Sequence, residues 1–63
     1  MIKLTLRRGR PMYIRSDQIK LISSYVDDKT GEEHTNVFVF FQDKPIKAAD
    51  TPEEIIKMME KAQ

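Results

Sequence analysis

Cysteine and tryptophan are absent from this 63-residue chain, and histidine occurs once. Without thiols, neither a disulfide nor a thiolate metal site can reinforce the fold, and nothing points to an oxidising compartment. Long apolar runs are missing too: no stretch approaches the roughly 20 consecutive apolar residues of a membrane span, and the first residues lack the apolar segment of a secretory leader. A cytoplasmic location is the expectation. Gly9 and Gly31 are the only glycines, too few and too isolated for a phosphate-cradling loop.

Nucleophilic and metal chemistry have few parts to work with. Ser16, Ser23 and Ser24 have no base at a recognisable spacing, and His34 would have to serve every triad. Asp27, Asp28, Glu32 and Glu33 surround His34, but a calcium loop needs acidic ligands at alternate positions and a closing Glu about 12 residues from its start. A solvated polar loop is the better reading. We therefore assign no catalytic, cofactor-binding or metal-binding residue and expect a chain that binds rather than catalyses.

A chain this short buries only roughly 60% of its unfolded surface, so a single domain over residues 1–63 has a thin core, and self-association is a common means of support. Charge balances, with 11 basic against 10 acidic residues, yet Lys3, Arg7, Arg8, Arg10 and Arg15 all precede the first acidic residue, Asp17. Such asymmetry marks either a surface for nucleic acid or an acidic partner, or a solvated, blunted sheet edge. Arg7, Arg8, Arg10 and Arg15 are the candidate contacts. Tyr13, Tyr25, Phe38, Phe40 and Phe41 raise the prospect of base stacking beside them, but no RNA-recognition motif accompanies these rings, and core packing explains most of them.

Alternation does most of the structural work. Ile2, Leu4 and Leu6 alternate with Lys3, Thr5 and Arg7, the period of a half-buried strand, and after the Arg8–Pro11 break Met12–Ile14 resume as a second strand. Ser16 and Asp17 are placed to cap a short helical turn. A long strand follows from Ile19 to Val26. Asp28, Lys29, Thr30 and Gly31 read as a type I turn with a left-handed Gly. Pairing Asp28 with Glu32 sets Val26 opposite His34, Tyr25 opposite Thr35, Ile22 opposite Phe38 and Leu21 opposite Val39. One face then carries Ile22, Phe38 and Phe40, and the other Leu21, Tyr25, Val37, Val39 and Phe41.

Ile46–Ala48 make a short last strand. Thr51, Pro52 and Glu54 then combine an N-cap hydroxyl, Pro at the first helical position and a Glu that completes a capping box. Pro52, Ile55, Ile56 and Met59 form the apolar stripe of the helix that follows. The fold class is α+β: a small antiparallel sheet of about four or five strands, built from hairpins and a meander, with one C-terminal helix packed on one face. One helix covers one face, so the other is an interface, with a protein partner or in a homo-oligomer.

The opening Met1–Thr5, then Gly9, Tyr13, Ile14, Asp17, Ile19 and Ile22, resembles the FlbD family of small flagellar and swarming-motility proteins. The end agrees: Lys44–Ile46, Thr51, Glu53, Glu54, Ile55, Ile56 and Met59 are similar to that family's closing strand and helix. Arg15 stands where the family commonly has Asn, and the Asp27–His34 tip is longer than its usual turn. The resemblance implies a motility accessory protein, a type that also occurs among phage and prophage products. It places Phe38 and Phe40 toward the core, leaving Leu21, Tyr25, Val37, Val39 and Phe41 as the interface. Asp at Val39 or Phe41 is then expected to disturb association and spare the fold. Leu4–Gly9 also resemble, more loosely, the opening of the carbon-storage-regulator RNA-binding proteins, which implies a small nucleic-acid-binding or regulatory alternative.

Overall fold

A computed structural model describes residues 1–61. β1 (Ile2–Thr5) and β2 (Pro11–Ile14) form an antiparallel hairpin in which Ile2 faces Ile14 and Leu4 faces Met12. Between the strands, the Gly9 N–H donates to the Leu6 carbonyl and the Leu6 N–H to the Arg10 carbonyl, both at 2.7 Å, while Gly9 takes φ +94°. Only glycine accepts that angle without strain, so the reversal is tied to its position.

A single 3-10 turn, Ser16–Gln18, leads into β3 (Ile19–Val26). The expected side-chain cap is missing there. Asp17 instead takes the Arg15 guanidinium at 2.9 Å, and the turn closes on its own backbone bond from Gln18 N–H to the Arg15 carbonyl.

β3 pairs with β4 (Glu33–Val39), and β4 with β5 (Ile46–Ala48), all antiparallel. The β3–β4 register differs from the expectation by one residue. Asp27 and Glu32 close the loop, the Asp27 N–H donating to the Glu32 carbonyl at 2.8 Å, so that Val26 faces Glu33, Tyr25 faces His34, Ile22 faces Val37 and Leu21 faces Phe38. Asp27 causes the shift. Its carboxylate accepts from the Lys29 N–H at 2.9 Å and its carbonyl from the Gly31 N–H at 2.7 Å, which folds four residues rather than three into the tip. Because side chains alternate, a one-residue slip exchanges the faces of the whole partner strand.

Two sheets result, β1–β2 and β3–β4–β5, and they join where β5 meets the end of β1. Leu6 bridges Ala48, the Arg7 N–H donates to the Lys47 carbonyl at 3.2 Å, and the Ala49 N–H donates to the Thr5 carbonyl at 2.7 Å. Strands therefore follow one another in space as β2, β1, β5, β4, β3, with β2 and β3 as the free edges. Helix α1 (Pro52–Lys61) lies against β1 and β3, covering one side of the strands. Between helix and sheets lie Ile2, Leu4, Ile14, Val37, Val39, Ile46, Ala48 and Ile55, all buried.

The capping box forms as the residues require. The Glu54 N–H donates to the Thr51 hydroxyl and the Thr51 N–H to the Glu54 carboxylate, each at 3.2 Å. Asp50, just before, accepts from the Thr5 N–H and ties the helix entry to β1. Along α1 the buried stripe is offset from the expected one: Ile55 is fully enclosed and Met58 and Met59 partly so, whereas Ile56 is half exposed toward β3. Replacing Thr51 with Ala should remove about 1 kcal/mol, the usual value of such a cap. For a domain of this size that corresponds to about 4–8 °C in a thermal melt followed by circular dichroism, with Thr51→Ser near wild type.

Candidate functional surfaces

Three regions carry the exposed chemistry. The first is the side of β3 and β4 that faces away from the core. With the observed register, Leu21 lies beside Phe38, Ser23 beside Asn36, and Tyr25 beside His34, while Lys47 of β5 continues the middle row. Leu21 is 56% exposed and Phe40, two residues past Phe38, is 66% exposed. The Lys20 ammonium sits 5.9 Å from the Phe40 ring centroid, within cation–π range. On the other flank of Leu21 a shallow groove runs to the helix, lined by Ile19, Ile22, Ile56 and Met59, with Lys20 and Glu60 at its rim. Leu21 thus belongs to both, and the apolar surface wraps around the free edge of β3.

Of the expected interface set, Leu21 and Tyr25 are exposed as the β3 alternation requires, but Val37 and Val39 are not. They are 0% and 1% exposed and sit in the core beneath α1. The misplaced turn count grouped them with Leu21, and the family resemblance, which places Phe38 and Phe40 toward the core, set that group outward; instead Phe38 pairs with Leu21 on the side away from the core, and Phe40 is exposed. Phe41 is exposed, but in the turn beyond β4 rather than on the sheet.

At the tip of the β3–β4 hairpin, His34 packs its ring 5.2 Å from that of Tyr25 and points Nε2 at the Asp27 carboxylate, 3.8 Å away. Among the described residues no three His or carboxylate side chains converge as metal ligands would. Nor is any helix among them long and apolar enough to cross a membrane.

The third region is an open cleft of about 740 Å³ between the β1–β2 reversal and β5, lined by Leu6, Arg7, Arg8, Arg10, Met12, Gln42, Ile46 and Lys47. Arg7, Arg8 and Arg10 come together here as their spacing suggests. Arg15 does not: it lies past β2 and pairs with Asp17 on the surface, a contact worth at most about 1 kcal/mol. Lys47 is the cation that the N-terminal charge count missed. The Leu6–Ala48 bridge brings it in, a long-range pairing with no local signature.

No protein-family model matches this chain, and comparisons with curated proteins and with solved structures give no match.

Proposed function

We propose that this chain is a non-enzymatic protein-interaction module, akin to the FlbD-like motility accessory proteins, and that it engages its partner along the free edge of β3, centred on Leu21. One observation carries the reading: large apolar side chains gather near that edge, Leu21 on the strand, Ile56 across the groove on the helix, and Phe40 under Lys20 in the turn after β4, all about half exposed or more. Contiguous apolar surface of this kind on a small domain marks a contact site. The strand beside it is eight residues long. It is the last strand of its sheet among the described residues, which suits pairing with an added strand, and no proline blunts it, whereas the opposite edge begins on Pro11. A second copy of the chain satisfies this edge as well as a different protein does, which is why homo-oligomerisation belongs to the same reading.

Leu21→Asp is the test. The position is exposed, so the substitution should leave the circular dichroism spectrum and melting temperature close to wild type. Sedimentation velocity should show a self-associated wild type and a monomeric variant, or affinity capture should lose a specific protein that the wild type retains. An unchanged mass and an unchanged set of captured proteins would rule the edge out.

A further inference from the structure

We propose that the basic cleft between the β1–β2 reversal and β5 receives an acidic protein segment that carries aliphatic side chains. The inference rests on the reading of the chain as a protein-interaction module but uses a different surface from the β3 edge. Arg7, Arg8, Arg10 and Lys47 all line it, and the 3.2 Å backbone bond from Arg7 N–H to the Lys47 carbonyl sets Lys47 beside the arginines. Among the described residues no carboxylate lines the cleft. Arg15 pairs with Asp17 and His34 faces Asp27, and none of the four cations pairs with a carboxylate among the described residues. Like charges gathered around a concavity raise a positive potential there, and an anionic occupant relieves their repulsion.

The floor decides the class of anion. Leu6 and Met12 are half buried and Ile46 is 6% exposed, so the cleft opens on the margin of the core and presents aliphatic surface beneath the cations. Single-stranded nucleic acid is normally held by bases stacked on aromatic rings. Among the described residues none lines this cleft. Tyr13, the nearest in sequence, is not among the residues that line it. A peptide offering Glu or Asp to the arginines, which match carboxylates with two parallel hydrogen bonds, and Leu or Ile to the floor fits both parts.

Fluorescence anisotropy with the full chain separates the outcomes. The probe is a labelled peptide of alternating Glu and Leu, compared with versions carrying Gln for Glu or Ser for Leu, and with a single-stranded oligothymidine of equal length. Binding of the Glu–Leu peptide should weaken as salt rises, as screening requires. It should weaken by about tenfold or more in the Arg8→Glu, Lys47→Glu double variant, the effect of losing about 1.4 kcal/mol. Both positions are exposed, and the spectrum of the variant should stay native. Arg15→Glu, outside the cleft, should leave affinity unchanged. Tighter binding of oligothymidine than of the peptide would reassign the cleft to nucleic acid. Equal affinity for the Ser-containing peptide, or no difference between wild type and the double variant, would also overturn the proposal. Leu21→Asp should bind the peptide normally, so failure here leaves the β3-edge reading standing, and the reverse holds.

Discussion

Val39→Asp should unfold this protein at neutral pH, while Phe41→Asp should leave it folded. Val39 is 1% exposed, in a core whose other members are all aliphatic. A carboxyl introduced there either unfolds the chain or takes a proton to remain buried. Protonating a group of ordinary pKa near 3.9 at pH 7 costs about 4 kcal/mol. Losing the burial of the valine adds about 1.5–3 kcal/mol. A 63-residue domain has about 3–9 kcal/mol of stability in all, at the usual range per residue. The variant is therefore expected to show no cooperative melt and a largely unfolded far-ultraviolet spectrum. Phe41 is 53% exposed and outside the sheet, so the same chemical change should shift the melting temperature by only a few degrees.

The pH dependence of the Val39→Asp variant identifies the cause. Burial raises the folded-state pKa of the introduced carboxyl above its unfolded value. Below the unfolded value, about 3.9, both states are neutral and the protonation penalty vanishes; above it, the penalty grows with pH until the folded-state pKa is reached. Relative to wild type, the variant should thus recover part of its stability toward pH 4. A defect of equal size at pH 4 and pH 7 would mean the side chain is not buried where the β4 register places it.

That register is where sequence and structure part, and the reason is local. Within a strand, alternation is legible: Ile2 and Leu4 against Lys3, or Leu21 and Tyr25 against Ile22, fall on the faces their spacing gives. Between strands, facing depends on the turn, and Asp28–Gly31 fits either a three-residue or a four-residue tip. The Asp27 side chain selects the longer one by bonding the Lys29 N–H, and Val37 and Val39 move from the expected outer face to the core. The three-residue pattern with a left-handed glycine does occur in this chain, at Arg7–Gly9. The helix start was plain because every group in it lies within four residues, Thr51 to Glu54. The basic cleft was half plain: its arginines are adjacent in sequence, whereas Lys47 reaches them only through the joining of β5 to β1.

Ile55→Ala should be the most damaging of the conservative truncations in the helix. Ile55 is the one residue of α1 that is completely enclosed, and the helix touches both β1 and β3. A ten-residue helix is marginal alone in water, so its persistence depends on that contact. Truncating a buried isoleucine to alanine costs about 2–5 kcal/mol once the cavity is included. At about 4–8 °C per kcal/mol for a domain this small, the melting temperature should fall by about 10 °C or more. Ile56→Ala removes the same atoms from a side chain that is 47% exposed and should cost under about 1 kcal/mol. If Ile56 instead proved the costlier position, the helix would have to present its other flank to the sheet, and the groove beside Leu21 would be part of the core. The difference between two neighbouring isoleucines therefore fixes both the orientation of α1 and the existence of the apolar edge on which partner binding depends.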